Sequence, residues 1–128
     1  MQHAPHYDDV VSDVRSFLLE RLAACRRAGV LREHLVVDPG FGFRKTVSHN
    51  VALLASLDVL GVLGVPVMVG LSRKSVLGQL TGRAVGERLP ASLAAALIAA
   101  QRGAAVLRVH DVAATRDALT ILNAVATV

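Results

Sequence analysis

The stretch Val65-Pro66-Val67-Met68-Val69-Gly70-Leu71-Ser72-Arg73-Lys74-Ser75 decides the fold. Its first half is a short apolar run rich in β-branched residues, without the alternation of a half-exposed strand. Gly70 ends the run, and a loop with two hydroxyls and two cations leads into a helical segment. Outward from it the same order recurs. Leu35 to Val37 precedes a Gly-rich loop and a helix from about Ser48 to Leu60, Val65 to Val69 precedes helical segments between Ser75 and Gln101, and Ala105 to Val109 precedes a helix from about Ala113 to Val125. Strands apolar throughout are expected to be parallel and covered on both faces, with each helix as the crossover back to the same edge. Right-handed crossovers keep the strands pointing one way, so the loops that follow them open on one rim. The predicted class is α/β.

Ahead of these units, Tyr7 to Ala28 predicts an amphipathic helix, with Val10, Val11, Val14, Phe17, Leu18, Leu22 and Cys25 on one face. Asp8 and Asp9 suit its positive end, Arg26 and Arg27 its negative end, and Gly29 the left-handed stop. A chain of 128 residues with 53% hydrophobic and 19% charged residues has the balance of one packed domain, residues 1–128. The net charge of +4 comes from scattered Arg and Lys. Without a basic run or interleaved aromatics this excludes a nucleic-acid groove and favours anionic small ligands. Cys25 has no partner for an internal disulfide, and no leader pattern opens the sequence, which points to the cytoplasm. Val51 to Leu71 is long enough to span a bilayer, but Asp58 would sit near its middle, and Gly61, Gly64, Pro66 and Gly70 cut it into helix, turn and strand. No membrane partner is expected.

Three loops follow the predicted strands. The first, Asp38 to Lys45, starts with a carboxylate at a strand end. Asp38 is either a turn residue or a ligand for a planar heterocycle whose amidine-like edge donates two hydrogen bonds. Phe41 and Phe43 either pack under the loop or stack on that heterocycle, and Gly40 and Gly42 let the backbone come close to it. The second loop, Gly70 to Ser75, places Arg73 and Lys74 at a helix start, where the dipole disfavours cations unless an anion intervenes. In the third, Arg108-Val109-His110-Asp111, Arg108 and His110 share one side of a strand end and suit a phosphate or diphosphate. The alternative is a rim salt bridge from Arg108 to Asp111. Together the loops describe a site for an anionic, partly aromatic small molecule.

Other residues carry no such signal. His3 and His6 lack a third metal ligand, and His34 and His49 are expected at the surface, His49 beside the helix cap Ser48. Cys25 is expected as a small buried hydrophobe. No dinucleotide fingerprint or Walker sequence occurs. Leu89 to Ala100, with Pro90 in the first turn, is expected to be a packing helix only.

The phrases Asp38 to Phe43, Ser48-His49-Asn50, Ser72-Arg73-Lys74-Ser75 and Arg108-Val109-His110-Asp111, in that order, resemble the carboxy-terminal half of the dihydropteroate synthase family. Met1-Gln2 and Tyr7-Asp8-Asp9-Val10 are similar to the stretch entering that family's fifth helix. The resemblance implies the carboxy-terminal part of a TIM (β/α)8 barrel, with an amino-terminal helix and three βα units. It implies a transferase of folate biosynthesis that joins 7,8-dihydropterin-6-ylmethyl diphosphate to 4-aminobenzoate, releasing diphosphate, with magnesium assisting the leaving group. By resemblance Asp38 holds the pterin amidine edge, Lys74 contacts the pterin from the loop that Gly70 opens, and Phe43, Ser75 and the Lys74 stem line the aminobenzoate pocket. Arg108 and His110 bind the diphosphate, and Arg108 also stacks on the pterin. Asp38, Lys74, Arg108 and His110 are thus the expected catalytic set. No residue here is assigned to the metal.

Departures from the family set further expectations. Such a barrel needs about 250 residues and eight strands, so the chain alone is expected to lack synthase activity. The family's first two loops, and the Asp and Asn completing its pterin pocket, fall outside it. Open strand edges predict a homodimer or poor solubility, and Arg44 stands where the family commonly has Gly. Two other readings remain: a methyltransferase-type pterin barrel that binds a reduced folate, and a non-catalytic half-barrel that binds pterin or packs as an interaction module.

Overall fold

The computed structural model describes residues 9–128. The expectations for His3, His6, Tyr7 and Asp8 lie outside the described residues.

Helix α1 spans Val10–Arg27, and Asp9 caps it by accepting from the Val11 and Ser12 amides at 3.1 and 3.2 Å. Val10, Val14 and Leu18 form its buried stripe. Phe17 lies on the margin of that stripe and is 60% exposed, and Cys25 is half-buried, so both depart from the expected core face. Gly29 stops the helix in the left-handed conformation at φ 90.

Three chain segments then run side by side in parallel. Val37 bridges Val67, strand β1 is Met68–Val69, and strand β2 is Val106–Leu107, paired Met68 with Val106 and Val69 with Leu107. The middle segment bonds both neighbours: Met68 N–H donates to Val37 O at 2.8 Å, and Arg108 N–H to Val69 O at 2.9 Å. The strands are shorter than the apolar runs suggested, and Leu35 to Val37 contributes one bridge. Among the described residues each outer segment has a partner on one side only, which limits the ladder.

The expectation of cover on both faces is also corrected. Val37, Val67 and Val69 are buried under helices, but Val36 is 51% and Val106 42% exposed. Being apolar throughout fits a sheet whose second face has no layer over it here.

Helix α2 is Val47–Ala55, and a 3₁₀ segment, Leu57–Leu63, continues it to Gly64 at φ 72. The cap is Thr46 and not Ser48. Thr46 Oγ1 accepts from His49 N–H at 3.2 Å while His49 Nδ1 accepts from Thr46 N–H at 3.1 Å, a reciprocal box that gives the half-buried His49 a structural task. Leu53, Leu57, Leu60 and Leu63 are almost fully buried and pack with Phe41 and Val69 into the core. Helix α3, Ser75–Thr81, ends at Gly82, a short 3₁₀ turn follows at Val85–Glu87, and α4 runs from Leu89 to Gln101. Helix α5, Val112–Ala126, follows β2 and packs on α4. No described helix is long and apolar enough to cross a membrane.

Candidate active site

All three loops after the parallel segments open on one rim. In the first, Asp38 Oδ1 accepts from Gly40 N–H at 2.8 Å, turning the chain sharply at the segment end. Gly40 and Gly42 have φ 75 and 80, and Arg44 φ 51, so Arg44 takes the left-handed conformation that a glycine there adopts freely. The two rings part company. Phe41 is 1% exposed and belongs to the core, which for this ring decides for packing under the loop, while Phe43 is 70% exposed, with the Arg44 guanidinium 6.0 Å from its ring centroid.

Two residues that sequence reasoning left without a role shape this loop. Asn50, 3% exposed, accepts from Gly42 N–H at 2.7 Å and donates to Thr46 O at 2.9 Å. Lys45 Nζ donates to Gly40 O at 2.9 Å and Phe43 O at 3.1 Å. The available signal was Asn50 inside an otherwise apolar helical stripe.

The second and third loops interlock with the first. Lys74 Nζ donates to Phe41 O at 2.6 Å, and its stem passes over Gly42, where an added Cβ would meet Cδ at 3.3 Å. Arg108 Nη1 lies 3.5 Å from Asp38 Oδ2, and its guanidinium covers the buried Gly70 so closely that a Cβ there would fall 2.6 Å from Nη2. Any larger residue at Gly70 would therefore have to displace the Arg108 guanidinium from this position. His110 Nδ1 and Ser72 Oγ are 2.9 Å apart, and the same oxygen accepts from His110 N–H at 3.3 Å. Asp111 takes Arg73, at 2.9 Å from Nη2 and 3.3 Å from Nε, so the rim pair expected as Arg108 with Asp111 forms between Arg73 and Asp111. Ser75 is the exposed first residue of α3.

Asp38, Lys74 and Arg108 thus share one mouth, His110 is tied to its wall through Ser72, and Phe43 and Ser75 stand exposed on the same rim. Burial lowers the Lys74 pKa, Arg108 lowers it further, and Asp38 opposes both. Lys45 is also lowered by burial, against Asp38, with Lys74 adding to the depression. The mouth holds more positive than negative groups and suits an anion beside a hydrogen-bond acceptor.

A cavity of about 600 Å³ lies elsewhere, between the end of α1, Leu31, Leu35 and Leu63. Its lining is largely apolar, and none of the candidate site residues borders it.

Residues 1–110 match the family model described as pterin binding enzyme. The chain is 48% identical over 124 residues to dihydropteroate synthase of Escherichia coli K12, covering 97% of this chain and 44% of that protein. It superposes on the crystal structure of dihydropteroate synthase from Stenotrophomonas maltophilia with TM-score 0.98 and 56% identity, over 100% of this chain and 49% of that one. The Xanthomonas albilineans enzyme in complex with 7,8-dihydropteroate gives TM-score 0.96 and 56% identity over 100% and 49%. With 4-aminobenzoic acid it gives 0.96 and 58% over 98% and 46%. The chain spans just under half the length of these relatives, and its fold is the α/β fold of TIM-barrel type. On this similarity, the chain belongs to the pterin binding enzymes.

Proposed function

We propose that this chain supplies the carboxy-terminal part of a dihydropteroate synthase active site: its three βα units form that part of a (β/α)8 barrel, and its rim loops hold the pterin diphosphate. The reaction is the condensation of 7,8-dihydropterin-6-ylmethyl diphosphate with 4-aminobenzoate to give 7,8-dihydropteroate and diphosphate, in folate biosynthesis. The observation that carries this reading is the mouth in which Asp38 lies 3.5 Å from Arg108 with Lys74 beside them.

Asp38 accepts from the amidine edge of the pterin, and Lys74 contacts the same ring. Phe43, Ser75 and the Lys74 stem line the aminobenzoate side. Arg108 and His110 bind the diphosphate, and Arg108 also stacks on the pterin. As the bond from the pterin methylene to the leaving oxygen lengthens, Asp38 opposes the positive charge growing on the pterin. Arg108 and His110 oppose the negative charge growing on the diphosphate, so the protein acts mainly through fixed charges. The described residues do not fit a magnesium site: no group of three His, Cys, Asp or Glu side chains converges among them, and Asp38 and Asp111 already face Arg108 and Arg73. Magnesium, as part of this reading, would come with the diphosphate and be held by groups outside the chain.

The chain alone is proposed to be inactive, to pair with a copy of itself through its open edges, and to work in the cytoplasm. The exposed Val36 and Val106 also favour a second reading, a non-catalytic half-barrel that binds pterin.

Calorimetric titration with the pterin diphosphate, followed by turnover with 4-aminobenzoate after adding a complementary amino-terminal half, separates the two readings. Binding is expected to compete with inorganic diphosphate and to weaken on the order of 100-fold in Asp38→Asn, through the loss of charge-assisted bonds. Unchanged affinity in that variant, or indifference to diphosphate, as a methyltransferase-type folate site would show, refutes the proposal. Binding without rescued turnover leaves the half-barrel reading.

A further inference from the structure

Arg73 is a non-glycine residue at φ 60, a conformation that persists when its surroundings fix it. Both of its backbone groups are held from α4 and the residue before it. Its N–H donates to Ser92 Oγ at 2.9 Å, and its carbonyl accepts from Arg88 Nη1 at 3.0 Å. Ser92 is 7% exposed and begins a buried face otherwise made of Ala95, Ala96 and Ala99, where a hydroxyl contributes nothing to packing. Arg88 is itself anchored, with Nε donating to Arg83 O at 3.1 Å, and its guanidinium lies flat on Gly78 of α3, where an added Cβ would come within 2.6 Å of Cζ. The next residue after Arg73 is Lys74, whose ammonium reaches across to Phe41 O.

We propose that Ser92 and Arg88 are positioning residues: by fixing the Arg73 backbone from behind, they aim the Lys74 ammonium at the first loop and hold it between Asp38 and Arg108. Gly78 belongs to the same device as the space that Arg88 needs. Its value for catalysis rests on the reading of Lys74 as a substrate contact, but the geometry can be tested without a ligand.

The test is the pH profile of Lys74 acylation by acetic anhydride, read by peptide mass spectrometry on the full chain. Lys74 faces Asp38, Arg108 and Lys45, so its titration reports its place among them. In Ser92→Ala, and in Gly78→Ala, which displaces the Arg88 guanidinium from Arg73 O without altering Arg88 or Ser92 themselves, the midpoint is expected to rise towards the ordinary lysine value. Ser92→Thr keeps the hydroxyl and should titrate as the unchanged chain does. A midpoint unmoved in both alanine variants overturns the proposal, as does an equal shift in Ser92→Thr. If Ser92→Ala does not fold, Gly78→Ala decides alone, since the atoms nearest its new methyl belong to the far end of the half-buried Arg88 side chain. Failure of the unchanged chain to bind pterin diphosphate would remove the functional reading without touching this result.

Discussion

Asn50→Ala tests whether the first loop takes its shape from the side chain beneath it. The Asn50 amide reaches both ways, accepting from Gly42 N–H at 2.7 Å and donating to Thr46 O at 2.9 Å, and the residue is 3% exposed. Truncation removes both bonds. Gly42 and Thr46 are themselves exposed, so water can take the vacated places. The cost is then the net worth of two hydrogen bonds, about 1 kcal/mol each, and not the larger penalty of buried groups left unpaired. A loss of about 2 kcal/mol is expected, a large share of the roughly 5–15 kcal/mol that holds a domain folded. Urea unfolding should show a lower midpoint with an unchanged slope, and pterin diphosphate binding should weaken because the loop carrying Asp38 is no longer tied down at Gly42. A stability within about 0.5 kcal/mol of the unchanged chain would refute the reasoning. A loss above about 4 kcal/mol would refute its solvent argument, because that much requires groups that water does not reach.

Gly70→Ala should push the Arg108 guanidinium off its seat, the new Cβ falling 2.6 Å from Nη2. The expected result is diphosphate affinity reduced on the order of tenfold, as for one lost charge-assisted bond, which competition binding would measure; unchanged affinity would show that Arg108 acts from another position. For Lys45 and Lys74, burial lowers both pKa values, so in the window between those values and the ordinary 10.5 the unfolded chain binds more protons than the native one. Stability contributed by the pair therefore rises with pH across that window, an effect reduced by the partial exposure of both ammonium groups. Unfolding free energies of the chain minus those of the Lys45→Met, Lys74→Met double variant should increase with pH there, and a flat or falling difference would contradict the assignment. Sedimentation should find a dimer or larger species, given the open face at Val36 and Val106; a monodisperse monomer would show that the edges are tolerated.

The parallel order of the segments and the common rim were legible because both follow from chain direction: an apolar run, a turn and a helix repeated in one sense leave few other arrangements. Asp38, Lys74 and Arg108 could be found for the same reason, each standing at or just beyond the end of such a run. The sequence leaves Phe41 open between packing and stacking because a Gly on either side reads as a surface loop; the turn held by Asp38 and Asn50 folds its ring back into the core. Ser48 and Thr46 are both good caps, and the choice fell to Thr46 because His49 lies three residues beyond it and can return the bond. The contribution of α4 was not legible. Arg88 and Ser92 act on a backbone 15 and 19 residues earlier, and no local periodicity records such a contact.

On the proposed reading, the charge balance of the mouth accounts for a diphosphate as its anion. Arg73 is already satisfied by Asp111, but Lys45, Lys74 and Arg108 share Asp38 as their nearby carboxylate. Asp38 Oδ1 accepts from Gly40 N–H and Oδ2 lies 3.5 Å from Arg108, so the amidine edge of a pterin would share this carboxylate with Arg108. A pterin that draws Oδ2 away from Arg108 would weaken the guanidinium's hold on its partner. A diphosphate on the same molecule repairs that loss by giving Arg108 a second anion. Both side chains of the Asp38–Arg108 pair are partly exposed, so solvent screening leaves such a pair worth about 1 kcal/mol. A pterin lacking the diphosphate should therefore bind about fivefold more weakly than the loss of its own phosphate contacts implies, since Asp38 would then stay with Arg108. Equal affinity for the free pterin alcohol and its diphosphate would show that the two ends of the site are independent.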